Sequence, residues 1–282
     1  MKGYSHALSG AAAWTIVATP SIAVPLSSIR DTLPDVPITA GLLDVSPLTY
    51  ALGLVLTSGA ALLPDCDHHN GTIAHSLPKV GFIPSPTGVL CKGVGKISGG
   101  HRHGTHSILG ILIFMLIALL AGRAIFPING EDYTIGAGLY AFLLTAFCLT
   151  VFKVGDKKAW FFRWVSSALI ALAITVYFPD EWALLPIIVG LGAFAHCVGD
   201  SLTVGGVPWL YPFKPKTPKM LKDTVFAKFW QNNGWFAFPI LGKTDSGTEK
   251  GPTREKTLCF AMSVYIFAGA VIAGLSYLSL LS

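Results

Sequence analysis

An all-α, polytopic membrane fold is what this sequence predicts, with about seven transmembrane helices and a cytoplasmic N-terminus. Three observations lead there. Hydrophobic residues make up 52% of the 282 and charged residues only 12%, about half the charged share of an average soluble chain. The apolar residues are gathered into seven continuous runs, not alternating ones, which excludes the period-two strands of a β-barrel. The basic and acidic residues then sort between alternate connecting segments.

The seven runs are 7–25, 48–63, 107–122, 135–152, 164–178, 183–199 and 258–281. Several fall short of the roughly 20 apolar residues that a perpendicular span needs, so their existence is firmer than their ends. The first run follows Lys2 and lacks a leucine-rich core and an Ala-x-Ala cleavage site, which reads as a retained helix and not a removable leader. Segments 1–6, 64–106, 153–163 and 200–257 are net positive, whereas 26–47, 123–134 and 179–182 are net negative. Lysine and arginine collect on the cytoplasmic side, so the first set is cytoplasmic. This bias also accounts for the net charge of +5, and no nucleic-acid partner is expected. The whole chain, 1–282, reads as a single membrane-embedded unit, with 200–257 a cytoplasmic or interfacial loop.

Sorted onto that map, the unusual polar residues converge. His6 opens the first span, "LLPDCDHH" (62–69) closes the second, "HRHGTHS" (101–107) opens the third and "AHCVGDSLT" (195–203) closes the sixth. All four pieces reach the same face at the same depth. Ionisable residues inside membrane helices usually face the bundle interior and often mark functional sites.

Asp65 and Asp67 follow a helix that Pro64 stops, and two carboxylates at a helix C-terminus face the negative end of its dipole. They call for a cation. His196 and Asp200 stand four apart, so they share one helical face, which Thr203 extends. Gly99 and Gly100 permit a tight bend before His101, Thr105 is suited to cap the third span, and His106 then enters its first turn. Arg102 offers a guanidinium matched to phosphate. Gly10, one turn from His6, permits close helix approach. His69 and His75 read as surface residues.

Mixed imidazole and carboxylate donors suit a divalent metal, zinc before manganese or iron, as one or two ions. Asp65, Asp67, His106, His196, Asp200 and His6 are the candidate ligands. Arg102, His68 and His101 are the candidate catalytic groups.

Elsewhere the motifs are weaker. The five cysteines form no Cys-x-x-Cys pair, so neither a disulfide framework nor a thiolate zinc ribbon is expected. "CKGVGKISGG" (91–100) fails the phosphate-loop pattern, because Lys96 precedes Ile97 and not Ser or Thr. "PWLYPFKPKTPKMLK" (208–222) interleaves aromatics with lysines as an interfacial belt facing anionic lipid does. "FIPSPTG" (82–88), within the long 69–100 loop, reads as a lid or interfacial loop.

The segments "LPDCDH" (63–68), "HRHGTHS" (101–107) and "HCVGDSLTVGGVPWLYP" (196–212), with His6 upstream, resemble the bacterial YdjM-type family, whose members are described as LexA-regulated or predicted membrane-bound metal-dependent hydrolases. All three family motifs, L-P-D-x-D-H, H-R-x-x-T-H-S and H-x-x-x-D-x-x-T-x-x-G, are complete. The resemblance implies a metal-dependent hydrolase of the cytoplasmic (inner) membrane, loosely akin to zinc phospholipase C enzymes. It carries over to Asp65, Asp67, His68, His101, Arg102, His106, His196 and Asp200. The pair of spans within 135–178 is extra relative to smaller members, and an even number of crossings leaves the site on the same side. The expected partners are membrane lipids and a lipid-like phosphorylated substrate. A metal-ion or proton-coupled transporter, or a structural membrane protein, are the competing readings.

Overall fold

Eight helices run through the described chain: α1 (Gly3–Ala18), α2 (Pro47–Ala60), α3 (Pro86–Ile97), α4 (Ile108–Gly122), α5 (Ile135–Val151), α6 (Trp160–Tyr177), α7 (Leu185–Ser201) and α8 (Thr253–Leu281). This computed structural model describes residues 1–21, 23–24, 36–37, 39–77, 79, 82, 84–155, 159–177, 179–231, 233–241 and 253–281. Much of the 26–47 loop, parts of 69–100 and residues 242–252 therefore lie outside the described residues. Two short antiparallel hairpins accompany the helices, β1 (Ala23–Val24) with β2 (Val36–Pro37), and β3 (Phe126–Ile128) with β4 (Glu131–Tyr133). Asn129 and Gly130 both take positive φ in the second hairpin's turn, as a two-residue hairpin loop demands.

Every apolar run carries a helix, with shifted ends. α1 stops at Ala18, well short of residue 25, because Pro20 disfavours helical φ/ψ at Thr19, which is extended. α8 begins five residues before its apolar run. α3 was not foreseen at all; it sits in the segment read as loop. By length and composition three helical stretches among the described residues are long and apolar enough to cross a membrane: Pro47–Asp67, Trp182–Ser201 and Thr253–Leu278. α4, α5 and α6 are apolar but shorter.

The exposure pattern is that of a protein solvated by lipid. Leu112, Ile113, Leu116, Ile117 and Leu120 of α4 all stand in the open. So do Phe161, Leu169 and Leu172 of α6, and Phe260, Val264, Phe267 and Leu275 of α8. In water such contiguous apolar surface would be a liability; facing acyl chains it costs nothing.

Small residues draw the central helices together. A Cβ on Gly10 of α1 would lie 2.5 Å from the Thr57 carbonyl oxygen of α2. One on Gly192 of α7 would lie 2.7 Å from the same oxygen and from the Ala61 nitrogen. α1, α2 and α7 thus meet around residues 57–61, backbone nearly on backbone, as small residues permit in membrane bundles. α4 packs along α7, α5 joins through α2, and α6 pairs with α5. The polar motifs all lie at the end of this bundle where α1 and α4 begin and α2 and α7 finish.

Candidate metal centre

Beyond Ala60 the chain passes into a 3-10 turn, Leu63–Asp67, with Pro64 in its first turn. At three residues per turn, Asp65 and Asp67 cannot face the same way, and their surroundings differ. Asp67 is almost fully buried and both its oxygens are engaged. Oδ1 accepts from His101 Nδ1 (2.9 Å), and Oδ2 accepts from the Arg102 backbone N–H (3.1 Å) and the Thr105 hydroxyl (2.5 Å). Asp65 instead turns Oδ1 toward two imidazoles.

Those imidazoles belong to His106 and His196, both fully buried. Their Nε2 atoms are 3.1 Å apart. Asp65 Oδ1 lies 3.7 Å from each, and Asp200 Oδ2 lies 3.6 Å from each. Tetrahedral zinc with bonds of 2.0–2.2 Å separates its ligands by about 3.3–3.6 Å. Two nitrogens and two carboxylate oxygens therefore stand close to the spacing of one four-coordinate ion.

The hydrogen bonds behind the rings decide which atoms offer lone pairs. His196 Nδ1 lies 2.6 Å from the Ala61 carbonyl oxygen, which can only accept, so Nδ1 carries the proton and Nε2 is a free donor atom. The Thr105 hydroxyl hydrogen goes to Asp67. Its oxygen, 3.1 Å from His106 Nδ1, then accepts from that nitrogen. Neutral imidazoles held in this way point two lone pairs at each other, and only a cation between them relieves the repulsion. Burial opposes a charged His106, but the carboxylates of Asp65 and Asp67 outweigh it and push its pKa up to about 9. A proton or a metal ion satisfies the same demand, and imidazoles oriented by carboxylate and carbonyl partners are the usual setting of a metal.

Asp200 turns its other oxygen toward three nitrogens. Oδ1 lies 2.9 Å from the Met1 amino nitrogen, 3.1 Å from Arg102 Nη2 and 3.3 Å from His6 Nε2. The His6 ring stacks on that of His196 at 3.7 Å, and its buried Nδ1 has no hydrogen-bond partner. The absence of a side chain at Gly199 leaves the room it occupies. Among the described residues two groups have ligand atoms within 4.8 Å of one another, His6 with His196 and Asp200, and Asp65 with His101 and His106. The donor set fits one ion or a close pair.

The remaining sequence-derived residues fall around this cage. Arg102 adopts φ +59, an uncommon conformation for a residue with a side chain, and Nη1 reaches Thr203 Oγ1 at 3.4 Å. Gly99 and Gly100 make the expected bend at φ +87 and +108. The His68 ring lies 4.4 Å from that of His101; burial and His101 together hold its pKa below the usual histidine value. A cavity of about 780 Å³ is lined by His6, Asp65, His68, His101, Arg102 and Asp200. His69 and His75 are exposed, and His103 points away, its ring edge-on to Tyr211 and Trp235.

Two assignments need correcting. Ser107, not Thr105, caps α4, accepting from the Gly110 N–H at 3.1 Å; the Thr105 hydroxyl is already committed to Asp67. His106 accordingly lies in a 3-10 turn, Gly104–His106, ahead of α4 and not within it. Sequence reasoning also missed the Ala61 carbonyl, a backbone atom that leaves no mark in a sequence.

Compared with known families, residues 1–276 match the family described as YdjM inner membrane protein, and the chain belongs to that family. No curated protein and no solved structure matches it.

Proposed function

We propose that this member of the YdjM inner membrane protein family is a membrane-embedded, divalent-metal-dependent hydrolase that cleaves a phosphoester of a lipid-like substrate at the cytoplasmic face. The observation that carries the reading is the cage of His106 Nε2, His196 Nε2, Asp65 Oδ1 and Asp200 Oδ2, opening onto a cavity that Arg102, His101 and His68 line. A seven-span topology with the N-terminus inside is supported by the loop charges. The shorter helices, 15 to 18 residues in α4, α5 and α6, are about 22–27 Å long and fit a locally thinned bilayer.

Asp65, His106, His196 and Asp200 would hold the ion, with His6 adjacent. When bound, it supplies Lewis acidity that draws charge from a phosphoryl oxygen and lowers the pKa of water. The chain does the rest. Asp67 fixes the His101 ring by accepting from Nδ1, which leaves Nε2 free to take a proton as general base. His68, whose pKa burial and His101 lower, lies beside it and can exchange that proton. Arg102 uses Nη1 and Nη2 on Thr203 and Asp200, and its other donors are available to a phosphate oxygen.

The experiment is direct. Purified protein incubated with phospholipids and isoprenoid phosphates is expected to release phosphate or a phosphorylated headgroup. Chelator should stop release, and Arg102→Ala should slow turnover while leaving the metal bound. If proteoliposomes carry zinc or manganese across the bilayer and no lipid is cleaved, the transporter reading replaces this one.

A further inference from the structure

α3 is not a spanning helix. Its 12 residues extend about 18 Å, far short of the hydrocarbon thickness. It lies against the 3-10 turns Leu63–Asp67 and Ile73–His75 at the end of the bundle that carries the metal cage. Ser85 caps it, accepting from the Gly88 N–H, and Pro86 opens its first turn.

Its two faces have opposite character. Thr87 and Cys91 are buried against the turns beneath. On the outer side Val89, Gly93, Leu90 and Ile97 fall within an arc of about 100° at 100° per residue. Val89, Leu90 and Ile97 are exposed by 55%, 58% and 90%, and Phe82 just before the helix is fully exposed. Lys92 and Lys96 run along one edge of this apolar stripe. A short helix with an exposed apolar stripe, a lysine edge and membrane helices in the same chain has the make-up of one lying in the bilayer surface.

The lysine edge also borders a way into the site. A cavity of about 790 Å³ between α3 and the 69–77 segment is lined by His69, Asn70, His75 and Lys92, among others. A second, of about 710 Å³, shares His69 and Lys92 with it and adds Lys96, His68 and His101. His68 and His101 in turn line the cavity of the metal centre. Among the described residues Asp67 is the one carboxylate along the two flanking cavities, and both its oxygens are engaged.

We propose that α3 is an in-plane membrane anchor, its apolar stripe seated in the interfacial layer and its Lys92–Lys96 edge holding an anionic lipid headgroup at the mouth of the groove that leads to the metal centre. The occupant is anionic lipid of the same bilayer, for two reasons. The groove is lined by Lys79, Lys92 and Lys96, and the chain that carries the stripe already exposes large apolar side chains to lipid along α4, α6 and α8. The onward passage of the headgroup into the centre rests on the hydrolase reading; the anchoring does not. The anchor is closely joined to the chemistry. A Cβ on Gly95 would meet the Asp67 carbonyl oxygen at 2.6 Å, and the helix ends four residues before His101.

The test uses the full chain in lipid nanodiscs. All five native cysteines are buried, so Ile97→Cys or Leu90→Cys takes a fluorophore selectively, and both positions are exposed enough to change without loss of the fold. Spin-labelled lipid is expected to quench these labels strongly while aqueous iodide quenches them weakly. Replacing phosphatidylcholine by phosphatidylglycerol should deepen the lipid quenching, and Lys92→Gln with Lys96→Gln should reduce that preference by roughly fivefold per lysine. Strong iodide quenching without lipid quenching overturns the anchor, and leaves the stripe to a protein partner. Lipid quenching that is indifferent to headgroup charge and to both lysines overturns the headgroup site. None of these readouts needs turnover, so an inactive but lipid-quenched protein counts against the hydrolase reading alone.

Discussion

The candidate metal centre takes its two imidazoles from two halves built on opposite principles, and Asp65 from the Leu63–Asp67 turn beside them. α7 supplies His196 and Asp200 from regular helix, four residues apart and buried. The 99–107 segment supplies His106 from irregular backbone, through two glycines at positive φ and Arg102 at φ +59. Each half delivers an imidazole Nε2 to the same point. The helical half is held by packing at Gly192 and by a backbone carbonyl that no substitution removes. The loop half is organised by one side chain, since Asp67 gathers His101, the Arg102 N–H and Thr105. Rigidity in the first comes from the fold, and in the second from a single carboxylate.

The largest expected effect tests that contrast through metal content. Wild-type protein should retain one or two ions per chain, within the one- and two-metal schemes. His196→Ala removes a ligand and should leave the purified protein without bound metal, with the helical bundle intact. Asp67→Asn keeps all four cage atoms but turns an acceptor of three donors into a group with a single acceptor oxygen. Affinity should then fall by roughly 10–100-fold, the range for partners behind a ligand. Elemental analysis and zinc titration separate the outcomes. If Asp67→Asn loses metal as completely as His196→Ala, Asp67 is a ligand and the division into halves is wrong.

A smaller effect concerns pH and isolates the loop half. Free histidine titrates near 6.5 and His106 is raised to about 9. Its protonation therefore stabilises the metal-free fold fully below pH 6.5, and that contribution is lost as pH rises through 9. The melting temperature of metal-free protein should decline across this window, and His106→Gln should flatten the decline. Zinc-loaded protein should show the reverse, because metal displaces protons from its ligands. A metal-free protein equally stable at pH 6.5 and 9 would mean that no proton bridges the two imidazoles.

The helical half was also the legible one. His196 and Asp200 can be placed on one face from the helical period alone, and the loop charges bring them to the same face as the other motifs. Asp65 and Asp67 could not be told apart in the same way. Two residues apart, they separate because the chain there winds as a 3-10 turn, whereas an extended segment would have put both on one face, and nothing in Leu-Pro-Asp-Cys-Asp announces which it is. Thr105 was read as a cap because capping is local, whereas its actual partner is 38 residues away. α3 escaped notice because Gly88, Gly93 and Gly95 depress helix propensity over twelve residues. It forms because Cys91 and Thr87 have a surface to bury against, which is a tertiary fact. The end of α1 was readable from Pro20 and was placed too late.

The finest test asks whether the loop half stores backbone strain, as its geometry implies. A residue with a Cβ in the left-handed region costs about 1–2 kcal/mol relative to glycine. Arg102→Ala and Arg102→Gly both delete the guanidinium and its contacts with Asp200 and Thr203, so that loss cancels between them. What remains is the conformation at φ +59, which alanine keeps under strain and glycine adopts freely. Glycine also loosens the unfolded chain, which offsets part of the gain. The glycine variant should therefore unfold about 1 kcal/mol above the alanine variant, a difference of a few degrees in detergent. The same pair of substitutions at Asp200, the penultimate residue of α7, should give the opposite order, by less than the roughly 1 kcal/mol that separates glycine from alanine in a helix interior. The sign at 102 against the sign at 200 is the measurement. If alanine is the more stable at both positions, the segment around Arg102 relaxes out of the left-handed conformation once the guanidinium is gone. Arg102 would then be held there by Asp200 and not by the glycines before it.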